Sequence, residues 1–68
     1  MSVFTTKDRT GRKVTVVASN ITCVEDDNGK ALIHFVGGAT LPTDVGYDSV
    51  RRNVTKALSP ASDEVLGE

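Results

Sequence analysis

Cys23 and His34 are the only thiol and the only imidazole of this 68-residue chain. The strand registers predicted below place them opposite one another, and such a pair could form a thiolate and an imidazolium. The same registers place both on an aliphatic face beneath a helix, where a reactive cysteine lacks access to substrate. We therefore expect buried structural residues, and we predict that the chain is not an enzyme.

Other catalytic and metal-binding patterns are missing from the sequence. The chain contains no GxGxxG, phosphate-loop, HExxH or CxxC motif. One cysteine excludes an internal disulfide, and one histidine excludes a closed zinc site of the usual kind. Asp26 and Asp27 have no EF-hand pattern after them, so we expect them to help a turn form. The sequence predicts no catalytic residue, no cofactor and no metal site.

Basic residues form a second candidate site. Four crowd the first predicted turn and two lie on the predicted helix: Lys7, Arg9, Arg12, Lys13, Arg51 and Arg52. If they share one side of the molecule, they could follow the phosphates of a nucleic acid. The alternative is a solvated hairpin tip and an ordinary charged helix face. Nucleic-acid binding is therefore the second, less favoured function.

The charge is small and uneven. Residues 1–58 carry eight basic and six acidic side chains, a net charge of +2, and residues 59–68 add three acids, for −1 overall. A charge of +2 is too small to indicate nucleic acid by itself. No apolar run approaches the roughly 20 residues that span a bilayer, so we expect no membrane partner. The single free thiol favours a cytoplasmic location.

Apolar, β-branched runs predict strands at residues 3–6, 13–18, 21–25, 30–36 and 39–41. Asn28-Gly29 predicts a type I′ turn, since both of its central residues need a positive φ. After a break at residues 42–46, an apolar stripe at spacings of three and four predicts a helix over 46–58. The predicted fold is α+β: a four- to five-stranded antiparallel β-meander with one C-terminal helix on one face. It forms a single domain, residues 1–58, followed by a flexible acidic tail at 59–68.

Two-residue turns would sort the side chains onto two apolar faces. Centred on Thr10-Gly11, the first turn places Phe4 opposite Val17, and the later turns place Val16 opposite Cys23 and His34 opposite Leu41. We expect the helix to cover the aliphatic face. The other face would then be a homodimer interface or a docking surface for a protein partner: Phe4, Val17, Val24, Ile33 and Phe35. The alternative is a half-barrel with this second face inside.

Several stretches resemble a known family. The residues are Gly11, Ile21-Thr22-Cys23-Val24-Glu25, Ala31-Leu32-Ile33-His34-Phe35, Gly38 and Val50. In this order they resemble the small flagellar FlbD/SwrD-like family, and the Ile-x-x-Val-Glu strand also resembles LytTR DNA-binding domains. The resemblance implies strands followed by a closing helix and carries over no functional residue. We predict a non-enzymatic protein-interaction or regulatory accessory module, encoded by a bacterium or phage.

Overall fold

The structure is a computed structural model that describes residues 2–59 of the chain. It contains five strands, one helix, and a short 3₁₀ turn at Ala18–Asn20. The elements are β1 (Val3–Lys7), β2 (Lys13–Val17), β3 (Ile21–Asp27), β4 (Lys30–Phe35), β5 (Thr40–Gly46) and α1 (Tyr47–Leu58). The predicted α+β class with antiparallel strands and a C-terminal helix is confirmed. The predicted tail lies outside the described residues, except for Ser59.

The strands form two antiparallel sheets, β1–β2 and β3–β4–β5. The sheets meet where β1 ends, because Asp8 forms an isolated bridge to Thr43 and the N–H of Arg9 donates to the carbonyl of Pro42 over 3.1 Å. The spatial order is therefore β2–β1–β5–β4–β3. In the described part of the chain β2 pairs only with β1. The predicted pairing of β2 with β3 is wrong, since a 3₁₀ turn replaces a tight hairpin between them.

The hairpin between β3 and β4 follows its predicted turn chemistry. Asn28 and Gly29 have φ values of 54° and 90°, the positive values that a type I′ turn requires. The N–H of Gly29 donates to Oδ1 of Asp26 over 2.7 Å, so this acid does help the turn form. The predicted pairing of Val24 with Ile33 is confirmed, but the register shifts at a bulge between Ile21 and Cys23, so that Phe35 pairs with Ile21.

The first hairpin closes with one more residue than predicted. Oδ1 of Asp8 accepts hydrogen bonds from the N–H and the hydroxyl of Thr10 and from the N–H of Arg12, at 2.9, 2.6 and 3.0 Å. The N–H of Asp8 in turn donates to the carbonyl of Arg12 over 2.9 Å. These bonds enclose a loop of residues 9–11. They also hold the pKa of Asp8 below its usual value, the Thr10 hydroxyl contributing most and the Arg12 N–H next.

The longer loop shifts the pairing of β2 by one residue. Phe4 pairs with Val16 and Thr6 with Val14, whereas the prediction placed Phe4 opposite Val17. Because side chains alternate between faces, a shift of one residue turns the whole strand over. The predicted register is therefore wrong, and the aliphatic side chains of Val14 and Val16 join the face that carries Phe4.

The turn after β4 produces the same kind of shift. The N–H of Phe35 donates to the carbonyl of Ala39 over 2.8 Å, which leaves residues 36–38 as the loop. Both glycines of this loop have a positive φ, which glycine adopts at no steric cost. His34 therefore pairs with Thr40, one residue before its predicted partner, and β5 also turns over.

β5 runs through the segment that was predicted as a break at residues 42–46. Pro42 lies opposite Leu32, and its carbonyl faces β1, where it accepts the N–H of Arg9. The nitrogen and the carbonyl of one strand residue point to the same side, so the missing N–H of Pro42 removes no bond to β4. Proline is tolerated here for that reason.

The helix packs on the face that was predicted to be an interface. Val16, Ala31, Ile33 and Val50 form the buried core. Partly buried side chains surround it: Phe4, Val14, Ile21, Val24, Phe35, Leu41, Val45 and Val54. The two strand shifts concentrate the large apolar residues on one side, so one helix suffices to cover them.

The predicted interface is corrected accordingly. Ile33 is fully buried, and Phe4, Val24 and Phe35 pack against the core of their own chain. Val17 lies on the other side of its strand, since Val16 points inward. These five residues therefore form no common docking face. The half-barrel alternative placed all five residues inside, which holds for the other four and not for Val17.

Two buried threonines differ in their hydrogen bonding. The hydroxyl of Thr43 donates to the carbonyl of Ala31 over 2.7 Å and accepts the N–H of Val45 over 3.3 Å. The hydroxyl of Thr6, which is 5% exposed as a residue, has no hydrogen-bond partner within the described residues. A buried hydroxyl without a partner costs free energy, whereas a valine of the same shape does not.

Thr6→Val is therefore expected to raise the free energy of unfolding by about 1 kcal/mol. Thr43→Val is the matched control and should lower it by about 1 to 3 kcal/mol, because it leaves the buried groups of Ala31 and Val45 without a partner. Urea unfolding of both variants measures the two changes. A loss of stability in Thr6→Val would show that this hydroxyl has a partner.

Candidate interaction surface

Cys23 and His34 lie opposite one another on β3 and β4, as predicted, but on the outer face of the sheet. Cys23 is exposed, and Nε2 of His34 lies 2.9 Å from Oε1 of Glu25. The prediction that both are buried beneath the helix is wrong, because α1 covers the opposite face. The imidazole is held by a carboxylate, and no hydrogen bond within residues 2–59 joins it to the thiol. Among those residues no three His, Cys, Asp or Glu side chains could hold a metal ion.

Arg9 joins the first hairpin to the rest of the domain. Its Nε donates to the carbonyl of Thr43 over 2.8 Å, and its guanidinium lies 3.4 Å from Oδ2 of Asp27. Its main-chain N–H donates to the carbonyl of Pro42. Arg9 therefore links the two sheets, although its side chain remains partly exposed.

The structure does not bring the remaining nucleic-acid candidates together. Lys7 and Lys13 pair on the outer face of β1–β2, while α1 packs on the inner face. Arg51 and Arg52 are exposed on that helix, and Nε of Arg51 lies 3.6 Å from Oδ1 of Asp48. The basic residues are thus divided between opposite sides of the first hairpin. Arg12 lies in the turn beside Lys13 and is exposed.

Outward-facing residues of β1 and β2 form three rows of identical partners, which we call the outer ladder. The rows are Val3–Val17, Thr5–Thr15 and Lys7–Lys13. A palindrome around Thr10, Val-x-Thr-x-Lys followed by Lys-x-Thr-x-Val, is the sequence signal for this arrangement. The two halves of the palindrome pair with each other only when the loop has three residues. The two-residue turn assumed in the sequence analysis therefore does not reveal this pairing.

The main chain of β2 is open on the side away from β1. The N–H of Asp8 donates to the carbonyl of Arg12 at one end of the ladder, and the N–H of Ala18 donates to the carbonyl of Ser2 at the other. In an antiparallel pair every second residue forms main-chain hydrogen bonds to the neighbouring strand. The even-numbered residues of β2 therefore bond to β1. The odd-numbered residues present their N–H and C=O groups to the other side, where no described strand lies: Lys13, Thr15 and Val17.

β3, at the other end of the strand order, is protected against strand addition. Its register shifts at a bulge between Ile21 and Cys23, and it ends in three consecutive acids, Glu25, Asp26 and Asp27. Bulges and edge charges are the usual means of blocking a sheet edge. β2 contains no bulge, and its one charge, Lys13, lies at its first residue. Of the two terminal strands described, β2 is the better acceptor.

Comparison with known proteins finds no family model, no curated protein and no solved structure that matches this chain. The FlbD/SwrD-like and LytTR-like resemblances therefore stay predictions. Within the described residues no helix is both long and apolar enough to cross a membrane. The features that indicate a function are the outer ladder and the open edge of β2.

Proposed function

We propose that this chain is a non-enzymatic protein-interaction module, an accessory or regulatory domain of bacterial or phage origin, that binds an extended segment of a partner protein beside β2. The observation that carries the proposal is the open main-chain edge of Lys13, Thr15 and Val17. An added strand gains affinity from main-chain hydrogen bonds and specificity from alternate side chains. The exposed thiol of Cys23 fits a reducing, cytoplasmic location.

The composition of β2 suits it to receive a strand. Four of its five residues are β-branched: Val14, Thr15, Val16 and Val17. Such residues have few rotamers and favour the extended backbone, so the edge is ordered before a partner arrives. Inward burial of Val16, which is 3% exposed, anchors the strand to the core. Little further ordering is needed on binding, which favours affinity.

Thr15→Pro is expected to weaken strand addition strongly and leave the domain folded. The N–H of residue 15 faces the open side, so proline removes a donor to the partner without removing a bond to β1. The probe is the neutral peptide acetyl-Ser-Thr-Val-Thr-Val-Thr-Ser-amide, titrated into labelled protein and followed by amide chemical shifts. In the native sequence we expect the peptide to change the amide chemical shifts of Lys13 and Val17. In Thr15→Pro we expect the affinity for the peptide to fall about tenfold or more.

Thr15→Val is the matched control, because it keeps the N–H and the β-branched shape. It should bind the peptide as the native sequence does, and all three proteins should give dispersed spectra of a folded domain. Equal peptide affinity in Thr15→Pro and Thr15→Val would overturn the proposal. Shifts confined to β3 would also overturn it.

Nucleic-acid binding is the second candidate, and the row Lys7–Lys13 with Arg12 beside it is what favours it. Titration with a single-stranded oligonucleotide should then give an affinity that falls steeply with salt. Lys7→Gln and Lys13→Gln should weaken that binding, while Arg52→Gln on the opposite side should not. Salt-independent binding, or no binding at low salt, would exclude this candidate.

A further inference from the structure

We infer, on the basis of the proposed strand addition, that the segment bound beside β2 is acidic at the residue that lies next to Lys13. The inference rests on unbalanced charge in the outer ladder. Like charges directly opposite each other in an antiparallel pair are destabilising. The row Lys7–Lys13 has this arrangement, and it lies at the end of the open edge.

No described acid neutralises this row. The ion pairs among the described residues involve neither Lys7 nor Lys13. Asp8 is adjacent in sequence, but its carboxylate is held in the loop by Thr10 and Arg12. An acidic side chain on a strand beside β2 would lie next to Lys13 on the same face and supply the missing charge.

The same geometry defines the rest of the partner's pattern. A strand added beside β2 extends each row of the outer ladder by one position. The row Thr5–Thr15 would accept a hydroxyl or β-branched residue, and the row Val3–Val17 an apolar one. Val17, which would lie next to the added strand, is only partly buried, so an apolar neighbour would cover surface that is now in water. The expected pattern is acid, any residue, Thr or Ser, any residue, apolar.

A second copy of the chain satisfies this pattern less well. Antiparallel pairing of two β2 strands about Thr15 places Lys13 next to Val17 of the second copy. The lysine row then stays without an acid. A separate acidic segment is the better match in charge.

The experiment compares two peptides that differ in one charge. They are acetyl-Ser-Glu-Val-Thr-Val-Val-Ser-amide and its counterpart with Lys in place of Glu, each also made in reversed order to cover both strand directions. We expect the acidic peptide to bind about three- to tenfold more tightly at low salt, with amide shifts along β2. The preference should reverse in Lys13→Glu, and it should persist in Lys56→Glu, a control on the helix.

The outcomes separate the inference from the proposed function. If both peptides bind with equal affinity and Thr15→Pro strongly weakens that binding, the preference for an acidic segment is wrong and strand addition is still supported. No shift along β2 with any peptide would overturn both. If the native mass is that of two chains, and Thr15→Pro reduces it to that of one, the partner is a second copy of the chain. The inference of an acidic segment would then be wrong. If an oligonucleotide changes the amide shifts of Lys7 and Lys13 and no peptide does, nucleic acid would be favoured as the ligand.

Discussion

Val50→Asp is expected to unfold the domain. Val50 is fully buried and packs with Val16, Ala31 and Ile33 in the core. A carboxylate at this position would lose its hydration and find no cationic partner, at a cost of about 3 to 5 kcal/mol. A single core in a domain of this size rarely supplies more than about 3 to 5 kcal/mol of stability. Circular dichroism and thermal unfolding measure the result, and we expect most of the chain to be unfolded at 25 °C.

Ser49→Asp is the matched control, because it adds the same charge one residue away on the exposed side of α1. Near the start of a helix a carboxylate interacts favourably with the macrodipole, and exposed substitutions usually change stability by less than about 0.5 kcal/mol. A folded Val50→Asp variant with native stability would mean that α1 does not close the core. Loss of folding in both variants would point to the helix as a whole and not to the buried site.

Phe35→Glu is expected to unfold the domain as well, and this result separates a core role from an interface role. Phe35 packs against the buried core, so a charge there would be desolvated within the chain itself, at a cost of about 3 kcal/mol or more. Under the interface interpretation the same change would dissociate a dimer and leave each chain folded. Light scattering and circular dichroism on the same samples distinguish the two.

Val36→Glu is the control for this experiment. Val36 follows β4 directly and is 71% exposed, so its replacement should alter stability by less than about 0.5 kcal/mol. A folded Phe35→Glu variant whose native mass is half that of the unmodified chain would contradict the core assignment. It would also restore the apolar sheet face as the assembly surface.

Local chemistry was sufficient to predict the elements and one hairpin. The Asn28-Gly29 turn has few conformations open to it, and it sets the pairing of Val24 with Ile33 without help from the rest of the fold. The apolar spacing of α1 likewise predicts a helix that begins within one residue of the observed start at Tyr47. These features depend on residues close together in sequence.

The candidate site was predicted only in part. Lys13 and Val17 were singled out, but for two different functions, and Thr15 was assigned to neither. The role proposed for all three depends on the open edge of β2, which in turn depends on where β1, β5 and β3 lie. Arg9 was proposed as a phosphate ligand, yet its partner Thr43 is 34 residues away in sequence. No local pattern reveals a contact of that kind.

The sequence by itself determined the α+β class, the order of its elements and the positive-φ turn at Asn28-Gly29, because these depend on propensity and on neighbours along the chain. The tertiary structure alone decided which face is the core. Three hydrogen bonds to Asp8 extend one loop by a residue, and the bond from Phe35 to Ala39 extends another. Since side chains alternate with a period of two, each added residue exchanges inside for outside. The phenylalanine face thereby became the core, and no described strand covers the outer edge of β2.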